Sequence, residues 1–473
     1  MQVCLMVDFG STYTKVTAAD LENETILGRA QAPTTIETDI TVGLAEALEN
    51  LYESSRIDPE DVRERYACSS AAGGLKIAAV GLVPDLTLKA AQRAALGAGA
   101  KILCAYGYEI DREIVEEIEG RRCDIVLLSG GTDGGNKDVI LHNAKMLADS
   151  AIACPFLVCG NRTVAHKIEG IFETAGKRVY TTKNVLPEIN IVDVEPAQEL
   201  IRNIFIDHII KAKGLDKARD FVRRDIIPTP MASLWAATLL ADGAGNESGI
   251  GSLLVAEVGG ATTNIHSVAN IKAVTPQTLV KGLPESRITR TVEGDMGIRY
   301  NARTIFDFEG NARLTASMRR LDPGLPEPKP DLDAYTRKVG ERVSYVPQTE
   351  VEALMDAALA KTAVGIATER HAGHLKSEFT AIGEVSIQYG KNLLDVRNVL
   401  GTGGIFKYGK APGEILGAAV FSPDAPWSLR PRAPKGWVDD EYIMYAIGLL
   451  SQDHPEAALR IAKKYLHPTV IIP

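Results

Sequence analysis

The sequence predicts an α/β protein of two related lobes, with a parallel α/β segment inserted into the first and a helical pair at the C-terminus. Three observations carry this reading. An apolar strand ending in an acid, a glycine turn with hydroxyl residues and a second strand occur at residues 2–21 and again at 251–270. Short apolar runs alternate with helical stretches from about 65 to 190, the rhythm of a parallel sheet covered by helices. Residues 438–466, VDDEYIMYAIGLLSQDHPEAALRIAKKYL, read as two helices parted at Asp453–His454–Pro455.

In chain order, QVCLMVDFG (2–10), TKVTAADL (14–21) and TILGRAQA (25–32) form an antiparallel meander, and residues 39–54 a crossover helix. The runs YACSSA, KILCAYGY, DIVLLSGG, FLVCGN and RVYTT are strands, with helices near 85–98, 111–119, 136–148 and 163–176 between them. An amphipathic helix spans 196–222, Pro228 and Pro230 end it, and the small-residue helix MASLWAATLLADGAG follows. Residues 322–348, rich in Pro and charge, read as a linker, and 350–374 as a helix. Residues 397–420 read as strand, glycine turn and helix, and 423–436 as a Pro-rich connector. The resulting divisions are 1–64 (start of the first lobe), 65–190 (the insert), 191–250 (return to the first lobe and connecting helices), 251–422 (second lobe) and 423–473 (connector and C-terminal helices).

A length of 473 residues allows about three domains with sizeable cores. With 45% apolar and 24% charged residues, the chain is neither disordered, collagenous nor a small disulfide scaffold. Net charge is −9, and the basic clusters Arg121–Arg122, Arg223–Arg224 and Lys463–Lys464 are short solvated faces, so no nucleic-acid partner is expected. No apolar run reaches the ~18 residues of a membrane span, and Asp8 comes too early for a signal peptide. The expected setting is the cytoplasm, with six free cysteines; Cys154 and Cys159 lack the second pair a metal site needs. His371 and His374 share the i, i+3 spacing of some metal pairs and are read as solvated or partner-facing, and the three tryptophans as packing residues.

Five motifs can carry chemistry. In Asp8-Phe-Gly10-Ser11-Thr12-Tyr13-Thr14-Lys15, Gly10 lets backbone approach a ligand, while amides and the Ser11 and Thr12 hydroxyls can hold phosphate oxygens. Asp8 sits where a carboxylate holds Mg²⁺ through water, and Lys15 adds a cation; an ordinary hairpin with a polar turn is the other reading. Glu257-Val-Gly259-Gly260-Ala261-Thr262-Thr263-Asn264 repeats the design, and two such turns facing each other can grip a nucleoside triphosphate. Gly401-Thr402-Gly403-Gly404 permits a flat group, a purine or ribose, to lie against backbone. SGGTDGGN, centred on Asp133, is either an anion-binding turn or a sharp strand-to-helix turn capped by Asn136. Glu293 and Asp295 in VEGDMG offer a further metal or catalytic pair, or a polar loop at the lobe boundary.

DFGSTYTK resembles the first phosphate motif, EVGGATTN the second and GTGGIF the adenosine motif of the superfamily of acetate and sugar kinases, heat-shock chaperone ATPases and actin. PTPMASLWAATL resembles the helix before the second phosphate motif in hydantoinase-like members. LSGGTDGGNKDVILHNAKML (128–147), RTVEGDMGIR (290–299) and DEYIMYAIGLLSQDHPEAAL (440–459) are similar to the glutamate mutase accessory protein family, the MutL family, over nearly the whole chain.

The resemblance implies two ribonuclease-H-like, actin-like lobes around a cleft for ATP, ADP and Mg²⁺. Asp8 and Glu257 would hold the metal and order water, Ser11, Thr12, Thr262 and Thr263 would bind phosphates, and Gly403 and Gly404 would line the adenosine pocket. It further implies an ATP-dependent, chaperone-like reactivating factor, a slow ATPase that promotes release of damaged cobalamin from a coenzyme-B12-dependent mutase or aminomutase. A homo-oligomer is left open. Two departures stand out, because the family's second motif usually begins and ends in Asp, where this chain has Glu257 and Asn264. They keep a non-hydrolysing nucleotide-dependent scaffold in view, beside a small-molecule kinase of the same superfamily.

Overall fold

The computed structural model describes residues 2–35, 39–55, 57–70, 75–205, 216–325, 330–380 and 383–472. The chain opens on β1 (Val3–Phe9), buried along its length, which pairs antiparallel with β2 (Tyr13–Asp20), as β2 does with β3 (Thr25–Pro33). Asp20 closes the second turn, accepting from the Glu22 amide at 3.0 Å and the Asn23 side chain at 2.6 Å. The helix Ile40–Ser55 crosses over, and β4 (Val62–Ser69) lies parallel to β1 on its other side.

The insert is a separate sheet. Its strands β5 (Lys76–Val80), β6 (Lys101–Tyr106), β7 (Ile125–Leu128), β8 (Phe156–Val158) and β9 (Val179–Thr181) are all parallel, in the order β6-β5-β7-β8-β9. This is a doubly wound order, with the topological switch point between β5 and β7. Both faces are covered, which is why the strands read as unbroken apolar runs. Ile77, Ile125, Leu127 and Leu157 join the core of the first lobe, while Val80, Val126, Leu128 and Phe156 pack under the insert's outer helices.

The middle of the expected helix 196–222 lies outside the described residues; Glu195–Ile204 and Asp216–Val222 are helical. β10 (Ile227–Pro228) then completes the first sheet, in the order β10-β4-β1-β2-β3. After the helix Thr229–Asp242, β11 (Gly243–Ala244) and β12 (Glu247–Ser248) form a short hairpin.

The second lobe repeats the first. β13 (Leu253–Val258) pairs antiparallel with β14 (Thr263–Val268); β15 (Leu279–Lys281) leaves the sheet, and β16 (Ile288–Glu293) pairs antiparallel with β14. β15 joins β17 (His374–Thr380) and β18 (Gly383–Tyr389) in a small sheet that the sequence did not reveal. β19 (Asn398–Thr402) and β20 (Lys435–Val438) add to β13 in parallel, and β21 (His467–Thr469) closes the edge. Strand for strand, β16-β14-β13-β19-β20 matches β3-β2-β1-β4-β10 in neighbours and direction. Each lobe is therefore a ribonuclease-H-like sheet, and the fold is a duplicated one.

The lobes share one core. Cys4, Met6, Tyr66 and Cys68 from the first sheet and Leu253, Val255 and Leu400 from the second pack on the helices Thr229–Asp242, Met444–Leu450 and Pro455–Tyr465. The helix Thr229–Asp242 is apolar nearly all round because it is buried on all sides. The insert also spans to the second lobe: Arg93 pairs with Glu285 at 2.8 Å, and Lys101 donates to the Gly294 carbonyl at 3.2 Å.

Three readings need correction. The linker 322–348 contains a helix, Leu332–Glu341, which Asp331 caps through the Ala334 amide at 2.9 Å and which buries Leu332, Tyr335 and Val339. The helix expected at 350–374 ends at His371, and His374 begins β17, so the two histidines share no helix face; His371 is buried. Trp427 is half exposed rather than packed. Among the described residues, no helix is long and apolar enough to cross a membrane.

The helices Thr229–Asp242 and Met444–Leu450 cross at backbone contact, because a Cβ on Gly448 would stand 1.8 Å from the Ala232 carbonyl oxygen. Gly448→Ala is expected to lower stability by about 1–3 kcal/mol through forced separation of the helices. Urea unfolding checks this, and an unchanged midpoint would mean the crossing has slack.

Candidate functional site

Asp8 is the penultimate residue of β1, and its cross-strand partner is Lys15. Lys15 Nζ lies 2.8 Å from Asp8 Oδ2 and 3.3 Å from the Tyr442 hydroxyl, over whose ring it also sits. Burial pushes the lysine pKa down, but the Asp8 carboxylate and the Tyr442 phenol outweigh it and hold the ammonium well above its ordinary value. The other carboxylate oxygen, Oδ1, accepts from Thr229 Oγ1 at 2.6 Å. The turn beyond is tight: the Gly10 amide donates to the Tyr13 carbonyl at 3.1 Å, where a Cβ would stand 2.6 Å from that oxygen. It leaves Ser11 exposed and Thr12 half-buried.

Glu257 holds the equivalent place on β13, and Asn264 is its cross-strand partner, as Lys15 is to Asp8. Glu257 Oε2 accepts from Asn264 Nδ2 at 3.0 Å and contacts His266 Nε2 at 3.2 Å; Oε1 accepts from Ser233 Oγ at 3.0 Å. Burial pushes this carboxyl up, but His266, Asn264 and Ser233 outweigh it, so the pKa lies below the usual value. Behind stands Arg290, which burial pushes down to about 10 and whose Nη2 lies 3.5 Å from Asn264 Oδ1. Its Nη1 donates to the Leu96 carbonyl of the insert at 3.0 Å. Asn264 thus gives its N–H to Glu257 and its oxygen to Arg290. An aspartate there would set a second carboxylate against Glu257.

One helix joins the two acids. Thr229 and Ser233 are four residues apart on Thr229–Asp242, hence on one face and about 6 Å apart along the axis. Thr229 holds Asp8 of the first lobe, and Ser233 holds Glu257 of the second. The sequence reading missed both. Their signal was a Thr and a Ser at i, i+4 near the start of a largely apolar helix.

The remaining candidates divide. Gly259, Gly260, Ala261 and Thr262 are half-buried at the second turn, while Thr263 is buried and donates to the Met296 carbonyl at 2.7 Å. A Cβ on Gly403, at φ +114°, would stand 2.2 Å from the Val258 carbonyl, so the third motif abuts the second hairpin. Gly401 makes room for the Phe406 ring, and Gly404 opens the next helix with nothing within 4 Å of a Cβ. Asp439, also missed, accepts from Thr402 Oγ1 at 2.8 Å and from the Ile443 and Met444 amides at 2.9 and 3.0 Å, tying this turn to the C-terminal helix. Glu293 and Asp295 both face Arg370, at 2.5 and 3.3 Å. Asp133 lies in the insert, where it accepts from the Arg162 amide at 3.0 Å and Asn184 Nδ2 at 2.9 Å. Asn136 Oδ1 accepts from the Val139 amide at 3.3 Å. A cavity of about 180 Å³ opens beside the first hairpin, lined by Lys15, Arg29, Lys407, Tyr408 and Tyr442; its three cations are paired with Asp8 and Glu441.

The family described as MutL protein matches residues 4–466. The chain belongs to the MutL family. Protein MutL of Clostridium tetanomorphum is 46% identical over 466 residues, covering 98% of this chain and 99% of that protein. More distant likenesses are to solved structures. The activator of the 2-hydroxyisocaproyl-CoA dehydratase from Clostridium difficile, with bound ADPNP, has a TM-score of 0.33 at 9% identity, over 98% of this chain and 96% of that one. A glycerol dehydratase reactivase has a TM-score of 0.34 at 10% identity, over 95% and 99%.

The strand that carries Asn264 and His266 also packs on a buried histidine. His371 Nδ1 lies 2.9 Å from Thr291 Oγ1 and Nε2 lies 2.8 Å from Ser267 Oγ; burial drives its pKa well below 6.5. The unfolded chain therefore binds a proton that the folded one refuses, and stability, full above about pH 6.5, falls as pH drops below it. His371→Gln is expected to flatten that slope by up to about 1.4 kcal/mol per pH unit. Urea unfolding across that range checks it, and an unaltered slope would refute it.

Proposed function

We propose that this chain is an ATP-dependent, chaperone-like reactivating factor for a coenzyme-B12-dependent mutase or aminomutase, holding Mg-ATP between its lobes. Membership of the MutL family supports the class of activity. The observation that carries the mechanism is the single helix whose Thr229 and Ser233 hold the two acids.

The donor set suits the ligand. Ser11, Thr12, Thr262 and the amides of both turns offer hydrogen bonds to phosphate oxygens, and Lys15 offers a fixed cation. Asp8 and Glu257 would hold Mg²⁺. Each of their oxygens already accepts a hydrogen bond within the protein, which favours contact through bound water. The metal supplies charge neutralisation of the phosphates. Asp8 and Glu257 orient water at the terminal phosphate, and the buried Lys15–Asp8 pair keeps the first turn rigid. A nucleotide that contacts the two turns differently before and after hydrolysis shifts the balance between open and closed lobes. That motion is the step that would loosen damaged cobalamin in the partner.

Asp8→Ala is expected to abolish Mg-dependent ATP hydrolysis and recovery of an inactivated mutase; full recovery by the variant overturns the assignment. Thr229→Val is expected to weaken Mg-nucleotide binding about 10-fold, the worth of one hydrogen bond to a charged group, while Thr229→Ser retains it. Calorimetry with Mg-ATP reads both. The saturated hydrogen bonding of Glu257 and the uncharged Asn264 favour one second reading, a scaffold that binds ATP without turnover. Phosphate release in the presence of a mutase separates the two, and fast ADP formation with a small molecule alone would indicate a kinase.

A further inference from the structure

We infer that Cys4, Glu64 and His454 form a transition-metal site, suited to Zn²⁺, that fastens the C-terminal helical pair to the first lobe. One ligand atom from each lies within 4.8 Å of the others. Thiolate sulfur, imidazole nitrogen and carboxylate oxygen are the donors zinc takes. Neither the nucleotide cleft nor the reading of its function enters this site.

The geometry is close to that of a ligand set. Cys4 and Glu64 are direct partners in the parallel pair β1–β4, so the sheet fixes two of the three. His454, in the turn before the helix Pro455–Tyr465, places Nε2 3.0 Å from Glu64 Oε1. With metal bonds of ~2.1 Å, the N···O edge of a zinc tetrahedron is ~3.4 Å. That pair therefore already stands near ligand spacing, and the sulfur, whose edges run to ~3.6 Å, has at most about 1 Å to close.

The surroundings hold the ligands as metal sites require. Glu64 Oε2 accepts from the Tyr66 hydroxyl at 2.5 Å and from Arg224 Nη2 at 3.2 Å, which turns Oε1 toward His454. Tyr66 and Arg224 both reach on to Asp453. Among the described residues, the fully buried Cys4 sulfur has no hydrogen-bond partner. With Zn²⁺ and a Cys4 thiolate, the charges of Glu64, Asp453 and Arg224 bring the cluster to neutrality; without metal it carries a net negative charge. Glu64 and His454 side chains are 20% and 28% exposed, which leaves a path for the ion and for water as a fourth ligand.

The test uses the full chain stripped with a chelator, titrated with Zn²⁺ against a chromophoric competitor. Cys123 and Cys154, whose sulfurs stand 3.7 Å apart, are a rival soft site, so the titration is run in a Cys123→Ser/Cys154→Ser background. The expected result is one zinc per chain, lost in Cys4→Ser and in His454→Gln and weakened ~10- to 100-fold in Tyr66→Phe. Co²⁺ should give a thiolate charge-transfer band that Cys4→Ser removes, and Zn²⁺ should raise the unfolding midpoint of the parent but of neither ligand variant. Circular dichroism confirms that His454→Gln, changed in a part-exposed turn, is folded. No zinc binding in this background, or binding that Cys4→Ser leaves intact, overturns the site.

Discussion

The structure depends on one buried helix that both lobes grip. Thr229–Asp242 lies in the core shared by the two sheets, and its first two turns carry hydroxyls to the acid of each lobe. Four residues of α-helix are a fixed length, since backbone hydrogen bonds set the rise. The spacing of Asp8 from Glu257 is therefore set by a rigid spacer, not by loops. At Gly448 this helix meets the C-terminal helical pair backbone to backbone, which leaves the crossing little room to slide.

The two hairpins are alike in backbone and unlike in charge. In the first, acid and cation neutralise each other across one strand pair. In the second, an amide takes the cation's place and passes the contact back to Arg290. The two residues that stand out in the second motif, Glu257 and Asn264, are thus direct partners. The longer acid finds three donors, and the amide removes a repulsion that a second carboxylate would bring.

The fold was legible because its signals are local. A strand, an acid, a glycine and hydroxyls make a hairpin wherever they occur, and the repeat at 251–270 exposed the duplication. The insert was legible for the same reason, since doubly covered strands are unbroken apolar runs. What was not legible depends on contacts between distant segments. Thr229, Ser233, Asp439 and Tyr442 look like ordinary polar residues until the lobes close around them. The small sheet of β15, β17 and β18 was hidden because β15 pairs with a strand about a hundred residues on. The helix at Leu332–Glu341 was masked by prolines just before it, although Asp331 caps it.

The contacts between the insert and the second lobe bear on how the cleft can gape. Arg93, Lys101 and the carbonyls around Leu96 join the insert to Glu285, Gly294 and Arg290, so a strap crosses from one lobe to the other on that flank. Beside the first hairpin a second set of ties joins the lobes: Arg29 and Lys407 pair with Glu441, and Lys15 contacts the Tyr442 hydroxyl. The lobes are therefore tied at two places besides their common core, by the insert and by the Glu441 pairs. An anion bound in the cavity beside the first hairpin would compete with Glu441 for Arg29 and Lys407, and so would loosen the very pairs that tether the lobes there.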